Sequence, residues 1–244
     1  VALRRTGIAD LLDELAAHTV ETIDARFGLR EASVPDDYRR REGRWAGQAL
    51  VLETDLRDGR GPVAQLKLAR IASPTDPDAA ATLTLAVIPR CETGRPILGA
   101  DLISFKGSFS LVGLDLTPMG RAPDDTTRAR LGAVRQPLLR SGRAREPGPP
   151  FGPDAVFVTP PKGEVELPRL AFLTYLDAFC RELDASAAEE APSVDMATVR
   201  GAQERYFQAM STHMKELPVL GKFFGPDWVA TYFDDVFFDR FSIR

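Results

Sequence analysis

Apolar residues at Ile8, Leu11, Leu12, Leu15, Ile23 and Phe27 follow an i, i+3, i+4 spacing. That spacing predicts an amphipathic helix over residues 8–27, with Gly28 placed to end it. Residues 31–46 are charged, contain Pro35, and read as a loop. The pattern then changes period. Five runs rich in β-branched and apolar residues follow at 47–55, 62–71, 81–88, 97–106 and 108–116, separated by turn-forming links such as DGRG and a lone Gly107. Short strands with tight links predict an antiparallel sheet. Residues 117–154 are rich in Pro, Gly and Arg and read as a long connection with one short helix at 126–140; 155–159 (AVFVT) reads as one more strand. Helical periods return at 167–184, 194–216 and 226–242, the last opening on Pro226.

Helix, then sheet, then helices predicts an α/β fold: a three-layer α/β/α sandwich with a central, mostly antiparallel sheet. Neither half of the chain carries a complete core. The expectation is therefore a single domain over 1–244, with an N-terminal helix and loop (1–46), a sheet (47–160) and C-terminal helices (161–244).

Composition narrows the chemistry. With 44% hydrophobic and 27% charged residues and a formal net charge of −4, the chain reads as a soluble, cytoplasmic protein. Mild acidity argues against a general nucleic-acid binder, and no apolar run is long enough for a membrane span. Only two Cys (Cys91, Cys180) and two His (His18, His213) are present, in no metal-binding motif, so no metal site is expected. Five of the 31 basic residues are Lys, which makes each lysine position more informative.

The informative positions are polar residues on strands that otherwise read as buried. Strand side chains alternate, so Gln65 and Lys67 share one face of 62–71, opposite Leu66 and Leu68. Asp101 shares a face with Gly99, Ile103 and Phe105; Thr84 shares one with Thr82, and Ser110 with Ser108. If these faces coincide, the sheet lines a pocket with a carboxylate, an amine, an amide and hydroxyls. A carboxylate there suits a proton donor, or it pairs with an Arg or lies near a strand end.

Three stretches carry a resemblance. PRCETGRPILGADLISFKGSFSLVGLDLTP, with Pro89, Gly94, Pro96, Gly99, Asp101, Asp115 and Pro118, resembles the central hairpin of the ferredoxin-dependent bilin reductases. PVAQLKLARI resembles the strand before it. VLGKFFGPDWVATYFDDVFFD, with Phe224, Gly225, Trp228, Tyr232, Phe238 and Asp239, resembles their C-terminal signature. The match spans residues 45–118 and 200–240.

The resemblance implies a monomer that binds an open-chain tetrapyrrole, usually biliverdin, between the sheet and the C-terminal helices. It reduces that bilin in one-electron steps supplied by ferredoxin and carries no bound cofactor. Asp101 matches the family's central catalytic aspartate, a proton donor. Gln65, Lys67 and Thr84 fall where the phycocyanobilin-producing branch has a His, a Glu and a second His. The set that handles the D-ring vinyl group there is thus absent, and a single two-electron reduction is expected. On the C-terminal side, Met214 replaces an acidic residue of the family, and His213 before it is a candidate second proton donor or a surface histidine. Lys215 and Arg145 match propionate anchors, Ser110 a propionate-side position, and Val219 a pocket-lining residue. Lys67 departs most: it pairs with Asp101, binds a bilin oxygen, or faces solvent. An acidic ferredoxin implies a basic rim, for which Arg140, Arg143, Arg145, Lys215 and Lys222 are candidates. A non-catalytic tetrapyrrole binder and an enzyme similar to the chlorophyll-catabolite reductases are the alternatives.

Overall fold

A computed structural model of the chain describes residues 7–76, 78–188, 194–213 and 217–238, with only the backbone described at 187, 188, 212 and 213. The elements run α1 (Ile8–Phe27), β1 (Leu29–Glu31), α2 (Asp36–Arg39), β2 (Arg40–Trp45), β3 (Gln48–Gly59), β4 (Val63–Ala72), β5 (Ala80–Pro89), β6 (Ile97–Phe105) and β7 (Ser108–Thr117). Then come α3 (Asp125–Ser141), β8 (Arg143–Ala144), β9 (Val156–Thr159), α4 (Glu166–Ala188), α5 (Met196–His213), α6 (Leu217–Phe224) and α7 (Pro226–Thr231).

Among the described residues the strands form one nine-stranded sheet in the order β1-β3-β4-β5-β6-β7-β9-β8, with β2 also on β3. Every pairing is antiparallel. The central strands follow the chain as a meander because their links are short. The β2–β3 and β6–β7 turns place two consecutive residues at positive φ, Ala46 and Gly47 (50° and 79°) and Lys106 and Gly107 (52° and 67°). That geometry matches the right-handed twist of the flanking strands.

Strand alternation gives the sheet two unlike faces. Leu66, Leu68, Leu83, Leu85, Leu98, Leu102, Val112 and Leu114 pack against α1, α3 and α4 in one large apolar core. Leu50, Leu52, Ala69, Ile71, Ile88 and Ile97 on the other face meet Tyr206, Phe207, Leu220, Phe224, Tyr232 and Phe237 from α5 and the C-terminal segment in a second. Helices thus cover both faces of an antiparallel sheet, a three-layer α/β/α arrangement.

The helix over 8–27 and the strands from β4 to β7 lie where the hydrophobic pattern puts them. Three expectations are corrected. Residues 31–46 are not a loop but hold α2 and β2. All but one of the residues of β2 are at least partly exposed, so it carries no apolar alternation to read. Between 217 and 224 stands α6, a helix absent from the sequence reading. Finally, the C-terminal helix is broken: α7 ends at Thr231, and Tyr232–Phe237 form a wider π turn in which Phe238 N–H donates to Phe233 O at 2.8 Å. The widened turn buries Tyr232, Phe233, Val236 and Phe237 together.

Candidate functional site

The two faces differ in how far they are sealed. On the α1/α3/α4 side the residues of the central strands are buried, whereas Thr82, Thr84, Asp101, Ile103 and Phe157 on the opposite side are half-buried. Together they form a partly open shelf beside α5.

Strand register places the polar residues on it. Ala69, Thr84, Asp101, Gly113 and Phe157 lie in one row across β4, β5, β6, β7 and β9. Lys67, Ala86, Gly99 and Asp115 form the next row, and Gln65 faces Ile88 one row further. Gln65, Lys67, Thr84 and Asp101 are therefore on one face. Asp101 stands near its middle, and Thr84 Oγ1 donates to Asp101 Oδ1 at 3.0 Å. A half-buried carboxylate on a mostly apolar face is held by such donors.

Lys67 is turned inward and is 1% exposed, with Nζ 5.7 Å from the centre of the Phe207 ring. Gln65 is also buried. Position 110 falls just past a β-bulge, where the β6–β7 register shifts between Ile103 and Ser104. There Ser110 Oγ donates to Ile103 O at 3.2 Å. Arg145 is exposed and donates through Nη2 to Ser110 O (3.3 Å) and Thr159 Oγ1 (3.2 Å), which brings positions 110 and 145 together. Its backbone N–H donates to Phe157 O at 2.7 Å, so Arg145 continues the Asp101 row at the sheet edge.

Val219 lies on α6 and is 52% exposed. The backbone of His213 closes α5; its side chain and all of Lys215 lie outside the described residues. Cys91, in the short turn before β6, is buried and its thiol donates to Gln203 Oε1 at 3.1 Å. Among the described residues no cluster of three His, Cys, Asp or Glu could hold a metal, and no helix is long and apolar enough to cross a membrane.

Two residues complete the face: Asp115, named above only as part of the hairpin motif and given no role, and Tyr206, which the sequence reading did not single out. Asp115 is 1% exposed, and burial pushes its carboxyl up to about 6, opposed by hydrogen bonds from Thr117 Oγ1 and from Gly152 N–H at 3.2 Å. Tyr206, buried on α5, reaches the sheet over Gly99, and its phenol is pushed above the usual range by burial and by Asp115. Tyr206 reads as a core aromatic on a helix, and no sequence signal separates it from one.

Residues 16–239 match the family described as ferredoxin-dependent bilin reductase. The phycoerythrobilin:ferredoxin oxidoreductase of Gloeobacter violaceus is 28% identical over 230 residues, 90% of this chain and 91% of that protein. A phycocyanobilin:ferredoxin oxidoreductase of Synechococcus sp. is 29% identical over 213 residues, 85% and 84% of the two chains. In fold the chain is similar to phytochromobilin synthase from tomato, solved in complex with biliverdin, with a TM-score of 0.73 at 18% identity over 93% of this chain and 83% of that one. With a family match over most of its length and relatives aligned nearly end to end, the chain belongs to the ferredoxin-dependent bilin reductases.

Proposed function

We propose that the chain reduces biliverdin or a related linear tetrapyrrole by two electrons, delivered singly by ferredoxin, with Asp101 as proton donor. The observation that carries the reading is Asp101 itself: a half-buried carboxylate near the middle of a partly open apolar face, fixed by Thr84. The family match and the relatives' names supply the substrate class and the electron source.

In this reading the bilin lies on the shelf with its ring nitrogens near Asp101. Arg145, at the end of the same row, meets a propionate with a charge-assisted hydrogen bond. Lys67 lies one row away, beneath Phe207, and offers a further donor to a bilin oxygen. Each electron adds to the conjugated system and is matched by a proton. Two reduced ferredoxins are oxidised, two protons are taken up, and one carbon–carbon double bond becomes single. A proton at Asp101 makes the first addition easier, because it neutralises the charge that the electron brings. The carboxyl is then reprotonated from solvent through the open side. Gln65, Lys67 and Thr84 leave this face without the His/Glu set of the phycocyanobilin branch, which supports one two-electron step rather than two.

The test is anaerobic turnover of biliverdin with ferredoxin, its reductase and NADPH, followed by absorbance. The expected result is a shifted spectrum on binding, then conversion to a product two electrons more reduced. Asp101→Asn is expected to bind with a similar shift and lose most turnover. Binding without conversion by the unsubstituted protein would leave a tetrapyrrole binder; no spectral shift would reject both readings.

A further inference from the structure

We infer that a gap in the edge of the sheet, between β1 and β2, is a solvent inlet that ends at Lys67, and that Lys67 gives the second proton of the reduction and regains it through this inlet. This rests on the reading above, in which a bilin on the shelf takes up two electrons and two protons. Strand pairing defines the gap. β1 covers β3 at residues 57–59 and β2 covers it at 48–53, so Thr54, Asp55 and Leu56 have no paired strand on that side. Residues 32–35 bridge the gap as a loop, and Ala32 N–H donates to Leu56 O at 2.9 Å. Two adjoining cavities lie there, of about 320 Å³ and about 250 Å³, and they share Ala32, Leu56 and Arg57. Exposed Glu31 and Arg39 line the first, and Gln65 and Lys67 line the second.

The second cavity suits water. Its volume is several times the roughly 30 Å³ that one water takes up in the liquid. Ser33, Arg57, Asp58 and Gln65 supply polar groups along it. Lys67 pairs with Leu56 in register, one strand step from the gap. It thus belongs both to the shelf, where Nζ lies 5.7 Å from the centre of the Phe207 ring, and to the wall of the inlet.

A proton donor that turns over must also be recharged, and this position meets both needs. Asp101 and Lys67 are two strand steps and one row apart, roughly 12 Å between Cα atoms. Two acids at that spacing address different atoms of one bilin. The other titratable groups placed on this face are poorer sources. The Tyr206 phenol is pushed above the usual range by burial, Asp115 accepts from Thr117 Oγ1 and Gly152 N–H, and neither lines the inlet. In the step assigned to Lys67, ferredoxin has supplied the second electron. A C–H bond forms at an end-ring carbon as an N–H bond of the ammonium group breaks, and the neutral amine then takes a proton from water in the inlet. Asp101 keeps the first proton transfer and is recharged from the open side.

The test follows single-turnover reduction of bound biliverdin by absorbance and by electron paramagnetic resonance. Lys67→Ala is expected to keep the shifted bilin spectrum, to form product about 100-fold more slowly, and to build up a one-electron-reduced bilin radical. Propylammonium restores an ammonium group and is expected to raise the rate of Lys67→Ala about tenfold, but not that of Asp101→Asn. Ala32→Phe fills the inlet from its half-buried wall and is expected to abolish this rescue. If that variant does not fold, Ser33→Trp at the exposed rim takes its place. Product formation at the original rate in Lys67→Ala, or weaker bilin binding with normal turnover at saturation, would overturn the acid role. Rescue that persists with the inlet filled would overturn the inlet. Labelling of Lys67→Cys by methyl methanethiosulfonate reads access without turnover, and filling the inlet is expected to slow it about tenfold; equal rates would also overturn the inlet. A protein that shows this slowing yet reduces no bilin would refute the catalytic reading and leave the inlet standing.

Discussion

The Tyr206 hydroxyl oxygen lies 2.7 Å from the point that a Cβ on Gly99 would occupy, and among the described residues no other atom outside Gly99 and its two chain neighbours comes within 4 Å of that point. Helix α5 therefore seats on the sheet through a glycine two residues from Asp101. Gly99→Ala is expected to lower stability by about 1–3 kcal/mol through overpacking. Gly99→Ala with Tyr206→Phe should recover most of it, since only the hydroxyl is in the way. Urea unfolding of the single and double variants measures this; an undiminished midpoint for Gly99→Ala would mean that α5 is not wedged there.

Removing the Thr84 hydroxyl is expected to change turnover rather than the fold. Thr84→Val keeps the shape and removes the donor to Asp101 Oδ1. A hydrogen bond to a charged group is worth about 1.5–3 kcal/mol, and 1.4 kcal/mol is a factor of ten in rate. The bilin-bound spectrum is expected to persist while kcat falls about tenfold or more. Equal kcat in the two proteins would remove Thr84 from the account.

Asp115 makes stability depend on pH. Its folded value is raised from 3.8 to about 6, so the folded state favours the protonated form. The stabilisation is complete below pH about 4 and is lost as pH rises through about 6, a difference of about 3 kcal/mol. Asp115→Asn, which keeps an acceptor for Gly152 N–H, should lack that decline. Denaturation midpoints between pH 4 and 8 decide it; parallel curves would show that Asp115 does not titrate in this range.

The turn before β6 is tied to the opposite layer by a buried ion pair, Arg95 Nη1 to Glu182 Oε2 at 2.9 Å. Thr127 Oγ1 also donates to Glu182, at 2.8 Å. Arg95→Met leaves Glu182 buried without that cation and is expected to cost about 3–5 kcal/mol. Adding Glu182→Leu should return much of the loss. Thermal unfolding of the two variants tests this, and an additive further loss in the double variant would contradict it.

Much of this was legible in the sequence because period-two alternation carries both facts at once. The runs that predict β4 to β7 also put Gln65, Lys67, Thr84 and Asp101 on the faces where they stand. What alternation cannot carry is register. A bulge between Ile103 and Ser104 shifts position 110 out of the simple pattern. The burial of Lys67 depends on Phe207, which lies far along the chain on α5. β2 was illegible because an exposed strand at the sheet edge needs no apolar residues, only a partner for its backbone. Tyr206 was hidden because its role is set by the missing side chain of Gly99, a fit between distant positions that no local pattern records.

The unequal faces of the sheet also divide the chain's freedom to change. Along β4, β5 and β6, every second residue is committed to an apolar layer that α1, α3 and α4 complete without any help from a bilin. Of the residues between them, Ala69, Ile71, Ile88 and Ile97 build the second core, whereas Gln65, Lys67 and Thr84 stand outside both apolar clusters. Exchanges at 65, 67 and 84 therefore leave the larger apolar layer intact, so the polar character of this face is free to vary while the sheet that carries it stays the same.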